Sequence, residues 1–274
     1  MASELMTHIQ EARDYIFGRA KTRPTVAVIL GTGLGEFTTG LQVEATIAYR
    51  DIPHFPVSAV ESHAGEMVLG RLEGKQVCLL RGRVHGYEGY RLREVGFPVR
   101  VLKAMGVGTV ILTNAVGGMN PNFRAGSLVL VSDHINLMGD NPLIGPNDEE
   151  LGPRFPDMSE PYDRKLLALA EDVATELKIR TERGIFVAVM GPNLETAAEY
   201  RFLRGIGADV VGMSLIAEDV TAVHGGQKVL AISVVTDMCL PDNLKPASIP
   251  EILRVAGETA PRLMAIVGGV IQRL

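Results

Sequence analysis

The sequence predicts a single α/β domain of three layers, with a mixed, mainly parallel central sheet flanked by helices. Three observations carry this. Short apolar, β-rich runs alternate with helical periodicities from end to end. No linker, repeat or low-complexity tract divides residues 1–274. Glycine-rich or polar clusters recur just beyond the strand-like runs, where folds of this class place ligands.

Along the chain, Leu5, Ile9, Ala12 and Ile16 repeat at helical spacing after a cap candidate, Ser3, and Gly18 can end that helix. Thr25–Leu30 is an apolar run suited to burial on both faces of a sheet, and it empties into Gly31–Gly35 (G-T-G-L-G). A Pro- and His-bearing loop, 51–65, precedes strand-like runs at Met67–Leu72 and Val77–Leu80. The pattern from Leu92 to Met105 is helical, and Thr109–Thr113 reads as a strand opening into an Asn114–Pro121 loop. Leu128–Val131 is another strand. From His134 to Pro161 periodicity fails, with prolines at 142, 146, 153, 156 and 161. So long an irregular stretch fits a lid or an interface. Leu166, Ala170, Val173 and Leu177 mark a helix, and Gly184–Val189 a strand. Thr196–Ile206 is predicted helical, Val210–Val211 a short strand, Ala217–His224 a helix and Val229–Val235 a strand. Ile252, Ala256, Thr259, Leu263, Ile266 and Val270 share one face of a last helix, which Pro261 should kink or split.

Bulk composition removes several function classes. With 46% apolar and 22% charged residues the chain can bury an ordinary core. Its net charge of −5 argues against nucleic acid or an anionic membrane as the main partner. Any anion must therefore be gathered locally. Cys78 and Cys239 have no metal-ligand spacing and read as buried thiols of a reducing compartment. The N-terminus lacks a signal-peptide pattern, and no apolar run nears the roughly 20 residues of a membrane span, so a soluble, cytoplasmic protein is expected.

The densest chemistry lies in Arg81–Tyr90 (R-G-R-V-H-G-Y-E-G-Y), directly after a strand-like run. Guanidiniums present fixed donor forks to oxyanions, and glycines let backbone N–H groups approach a ligand. Gly31–Gly35 lacks the third glycine of a dinucleotide fingerprint, since Glu36 stands there, and suits a phosphate-sized anion held by amides and the Thr32 hydroxyl. His63 sits beside a small-residue turn, and Asn114–Gly118 offers amides past a strand. Glu195 lies at the foot of a helix, Ser214 between a strand and a helix, and Asp237 at a strand end. Nucleophile-elbow, zincin, Walker and paired-Cys patterns do not occur. The set is an anion pocket, two carboxylates and apolar neighbours such as Leu194 and Met213. It suits attack by an anion on a molecule that offers a polar ring to the carboxylates.

The order of the clusters, G-T-G-L-G, S-H-A-G, G-R-V-H-G-Y-E-G-Y, T-N-A-V-G-G-M-N-P, R-F-P-D-M-S, G-P-N-L-E-T, V-G-M-S and V-T-D, resembles the trimeric purine nucleoside phosphorylases across nearly the whole chain. The resemblance implies a nucleoside-phosphorylase fold and a homotrimer. It also implies reversible phosphorolysis of purine (deoxy)nucleosides, within purine salvage, to free base and (deoxy)ribose 1-phosphate. It implies no metal or organic cofactor, because inorganic phosphate is a co-substrate. By resemblance, Thr32, Arg83, His85, the Ala115 amide and Ser214 hold phosphate and His63 closes over it. Glu88 orients His85, while Tyr87 and Met213 line the ribose. Leu194 stands where the family often has phenylalanine. Glu195 accepts from purine N1–H, and Phe155 reaches the neighbouring subunit's site.

One residue departs from the family pattern. Asp237 stands where inosine- and guanosine-specific members usually carry asparagine. An ionised carboxylate only accepts hydrogen bonds, which suits a 6-amino group, whereas serving a 6-oxo group requires a proton. A family histidine near the ribose 5′-hydroxyl is also absent, with Ile249 the nearest aligned position. These departures keep a 5′-methylthioadenosine phosphorylase of the same fold as the alternative. A non-catalytic nucleoside-binding protein and a dehydrogenase on the G-T-G-L-G loop are the more distant readings.

Overall fold

The computed structural model describes residues 3–31, 33–34, 40–58 and 65–274. Nine strands form one sheet: β1 Val26–Leu30, β2 Gln42–Ala48, β3 Glu66–Leu72, β4 Lys75–Arg81, β5 Thr109–Gly118, β6 Leu128–Asn136, β7 Thr181–Ala188, β8 Val210–Gly212 and β9 Lys228–Met238. Their order is β2-β3-β4-β1-β5-β8-β7-β6-β9, with β9 pairing a second time, to β5. The five strands β5, β8, β7, β6 and β9 thus close on themselves, and β1 to β4 extend the sheet from β5. Pairings β1–β4, β1–β5, β5–β9, β6–β7 and β7–β8 are parallel, while β2–β3, β3–β4, β5–β8 and β6–β9 are antiparallel. The sheet is therefore mixed, as the sequence predicts.

Helices α1 Glu4–Phe17, α2 Leu92–Val95, α3 Phe97–Ala104, α4 Arg164–Glu176, α5 Ala197–Gly205, α6 Ile216–His224 and α7 Ile249–Arg273 accompany it. Ser3 caps α1 by accepting from the Met6 N–H, and Gly18 ends it, both as expected. Thr196 caps α5 in a reciprocal box with Glu199. All five residues of β1 are buried, in keeping with a strand covered on both faces.

The structure departs from the sequence reading at four places. Strand β2 is an edge strand whose first three residues are exposed, so it carries no apolar run to betray it. The predicted helix at 92–105 is broken at Gly96, where a Cβ would stand 2.3 Å from Thr221 Oγ1. Residues 114–118 are the second half of β5 rather than a loop, hydrogen-bonded to β9 and then to β8. Helix α7 runs unbroken through Pro261. Pro261 and Gly257, the residue one turn earlier whose carbonyl loses its donor, both face solvent, so water can satisfy that carbonyl.

The segment 137–163 between β6 and α4 is irregular apart from turns, as expected, but residues 134–136, read as the start of that stretch, still belong to β6. Among the described residues no helix is long and apolar enough to cross a membrane.

Candidate active site

One open cleft lies at the C-terminal end of β1 and along the C-terminal halves of β5 and β9, and residues following β4, β7 and β8 complete its walls. Arg83, His85, Tyr87, Ala115, Leu194, Glu195, Met213, Ser214 and Asp237, all singled out from the sequence, line it together. Glu88 lies behind His85. Thr32 and His63 lie outside the described residues. Phe155 lies outside the cleft at 87% exposure, with the Arg154 guanidinium 5.8 Å from its ring centre.

Close backbone approach builds the cationic end. Gly31 ends β1 against β5, and a Cβ there would meet Asn114 Cα at 2.7 Å and the Thr113 carbonyl oxygen at 2.8 Å. The Gly31 N–H donates to Thr113 Oγ1 (3.2 Å), whose hydroxyl donates to the Ile29 carbonyl (3.1 Å). Arg83 Nη2 donates to the Ile29 (3.2 Å) and Thr113 (2.5 Å) carbonyls, and its Nη1 lies 3.2 Å from Glu218 Oε1. The guanidinium is thus fixed between two strand ends and one helix, at 6% exposure.

His85 follows at the head of a one-turn helix. Its Nδ1 lies 3.1 Å from Glu88 Oε1, and its backbone N–H donates to the same oxygen at 2.8 Å. Ser58 donates to the other Glu88 oxygen at 2.9 Å. The Tyr87 ring stacks on the imidazole, centres 4.7 Å apart and planes 13° apart. Burial, and then the Glu88 charge, raises the Tyr87 phenol above its ordinary range, so it stays a neutral O–H.

Ser214 precedes α6. Asn114 Nδ2 donates to Ser214 Oγ at 3.5 Å while Ser233 donates to Asn114 Oδ1 at 2.7 Å, a buried link from β9 through β5 to the cleft. Leu215, next in the chain, holds φ +78°, a left-handed conformation that a branched residue tolerates poorly and that tight surroundings must impose.

At the other end stand the carboxylates. Asp237 Oδ1 accepts from Thr236 Oγ1 at 2.9 Å, and Oδ2 accepts from Cys239 Sγ at 3.3 Å. The Tyr200 phenol lies close to both Glu195 and Cys239, and Tyr200 shares a buried cluster with Cys239. Met213 packs on Gly191, where a Cβ would stand 2.3 Å from Met213 Sδ.

Sequence reasoning missed Tyr200, Thr236, Cys239 and Ile252 as cleft residues. Tyr200 and Ile252 look like ordinary helix residues. Cys239 could have been flagged only by lying two residues beyond Asp237, on the same strand-face parity. No group of metal-ligating side chains occurs among the described residues.

A mixed α/β sheet with an arginine, a histidine, a serine and two carboxylates around one strand-end cleft defines a phosphorylase-type site. The phosphorylase superfamily model matches residues 25–272, and the chain belongs to that family. Within it, the chain is 46% identical to purine nucleoside phosphorylase 1 of Bacillus subtilis, over 96% of this chain and 97% of that one. It is 43% identical to the mouse purine nucleoside phosphorylase, over 92% and 91%. Two solved purine nucleoside phosphorylases from Schistosoma superpose with TM-scores of 0.93. One, in complex with hypoxanthine, is 36% identical over 100% of this chain and 99% of that one. The other, in complex with adenosine, is 37% identical over 98% of each.

Proposed function

We infer that the protein catalyses reversible phosphorolysis of purine (deoxy)ribonucleosides, giving free base and (deoxy)ribose 1-phosphate. The observation that carries this reading is that one cleft gathers Arg83, His85 and Ser214 on one side and Glu195 and Asp237 on the other, in a chain 46% identical to a purine nucleoside phosphorylase.

The chemistry follows from charge. Breaking the N-glycosidic bond develops cationic character at the sugar C1′ and negative charge on the departing purine. Phosphate held by Arg83, His85, Ser214 and the Ala115 amide lies next to the first charge and supplies the nucleophilic oxygen. Glu88 keeps His85 oriented. Glu195 takes the purine N1–H, and Asp237 faces the 6-substituent and N7. The attraction between phosphate and C1′ gains strength as charge builds, as does any hydrogen bond donated to N7 or the 6-position of the departing base, which is what lowers the barrier. Tyr87, Met213 and Leu194 supply the sugar-facing wall. Thr32 and His63 belong to the phosphate side of the same reading. No organic cofactor or metal enters it, since phosphate is the co-substrate. A cytoplasmic homotrimer, with Phe155 reaching a neighbour's site, completes it.

The test is release of base from inosine, guanosine and adenosine with and without phosphate. Release that depends on phosphate, and that Arg83→Ala lowers far more than it lowers free-base binding, is expected. Equal release without phosphate rejects the reading.

A further inference from the structure

Tyr200 stands between the two carboxylates assigned to the base. It is 4% exposed on α5, shares a buried cluster with Cys239 and lines the cleft with Glu195, Cys239 and Asp237, its phenol close to both Glu195 and Cys239. Cys239, 2% exposed, donates through Sγ to Asp237 Oδ2 at 3.3 Å. Glu195, Tyr200, Cys239 and Asp237 therefore form one chain of polar groups along the cleft wall. Gly117 admits the sulfur, because a Cβ there would stand 2.6 Å from Cys239 Sγ.

Both bridging groups keep their hydrogens. Burial, and then the Asp237 charge, pushes the Cys239 thiol up to about 12. Burial, and then Cys239, raises the Tyr200 phenol far above its usual range. Cys239 thus has one hydrogen, directed at Asp237. Tyr200 also has one, with two acceptors in reach, the Glu195 carboxylate and the Cys239 sulfur.

A 6-oxopurine brings an N1–H to Glu195, and the Tyr200 hydrogen is then free to face Cys239. A 6-aminopurine has a lone pair at N1 and no hydrogen there, while its amino hydrogens suit Asp237, whose two oxygens accept. Glu195 would then lose the donor that the base supplies while the bound base covers it from water, and a covered carboxylate without a donor is unfavourable.

We propose that Tyr200 is a specificity-determining residue whose single hydroxyl hydrogen turns from Cys239 to Glu195 when the bound purine carries no N1–H, so that the cleft takes 6-aminopurine as well as 6-oxopurine nucleosides. The proposal rests on the reading of Glu195 and Asp237 as the base-contacting pair.

The experiment compares kcat/KM for adenosine and inosine, and calorimetric Kd for adenine and hypoxanthine, in wild type, Tyr200→Phe and Cys239→Ala. Tyr200→Phe keeps the ring and is expected to lower the adenosine-to-inosine ratio by about tenfold, with adenine affinity falling in step. Cys239→Ala removes the competing acceptor and is expected to move the ratio the other way. Equal losses on both substrates in Tyr200→Phe, a shift of the same sign in both variants, or no adenosine turnover and no adenine binding in wild type overturns the proposal. Glu195→Gln separates the two levels. If it leaves inosine turnover untouched, the base-site reading itself fails. If it lowers inosine turnover while Tyr200→Phe leaves the ratio unchanged, only the role of Tyr200 falls.

Discussion

Arg83 Nη1 lies 3.2 Å from Glu218 Oε1, with the two side chains 4% and 3% exposed. The contact is one of charge rather than of hydrogen bonding, since neither atom meets a partner in bonding geometry among the described residues. A pair this deep adds little net stability, yet removing one partner strands the other charge. Glu218→Ala is therefore expected to destabilise the fold by about 3–5 kcal/mol. It also frees the guanidinium from its helix-side anchor, so KM for phosphate should rise more than KM for nucleoside. Glu218→Gln, which keeps shape and loses charge, should recover part of the phosphate affinity. Urea unfolding together with the two KM values checks this, and equal changes in both KM values would remove the positioning role.

Position 237 offers a cleaner substitution. Both Asp237 oxygens accept from chain neighbours, Oδ1 from Thr236 and Oδ2 from Cys239, so the carboxylate faces a base as an acceptor. Asp237→Asn puts a donor opposite the purine 6-position. The kcat/KM ratio of inosine to adenosine is expected to rise by at least about tenfold, as a hydrogen bond to a matched acceptor replaces an acceptor–acceptor clash. The same panel with methylthioadenosine tests the alternative substrate. A ratio untouched by the substitution would show that 237 does not set specificity.

The strand-end clusters were legible because glycine and polar residues interrupt apolar runs there, and the sheet then draws those ends to one place. Arg83, His85, Glu195, Ser214 and Asp237 could each be named before any fold was known. What could not be read was whatever depends on register. Tyr200 is one aromatic in a helix until α5 turns it toward Glu195, and Cys239 is one thiol until β9 sets it beside Asp237. Strand β2 escaped because an exposed edge needs no apolar pattern. The second half of β5 escaped because Asn114, Gly117 and Gly118 imitate a loop, although close packing demands those glycines. A Cβ at Gly118 would stand 2.7 Å from Val235 Cγ1.

Asp219 predicts how stability depends on pH. It is 0% exposed beside Glu218, and neither of its oxygens has a hydrogen-bond partner among the described residues. Burial, then Glu218 and Asp133, holds its carboxyl well above the ordinary 3.8. The folded protein therefore keeps this proton to higher pH than the unfolded chain does. Stability must fall as pH rises from about 4 toward the folded-state value. His134, whose Nδ1 is 3.5 Å from Asp219 Oδ2, is lowered by burial from 6.5, so its contribution is lost in the opposite sense, as pH falls through 6.5. Asp219→Asn should raise Tm at pH 7 by about 3 °C or more, and the gain should shrink toward pH 5. Thermal melts across that range check it, and a gain independent of pH would rule out the titration of Asp219 as its source.

Phe155 bears on assembly. A phenylalanine at 87% exposure on the irregular segment between β6 and α4 contributes little to its own subunit's core. If it completes the site of a neighbouring copy, Phe155→Ala should raise KM for nucleoside by about tenfold, in line with the loss of part of an aromatic surface. The decisive measurement mixes subunits. Phe155→Ala keeps an intact Arg83 and lacks the aromatic, whereas Arg83→Ala keeps the aromatic and lacks the anion site. After dissociation and reassembly, hybrids contain sites in which Arg83 of one subunit meets Phe155 of another. Activity above the average of the two variants is then expected, together with a trimer mass by light scattering. A mixture no better than that average means that Phe155 completes no neighbouring site.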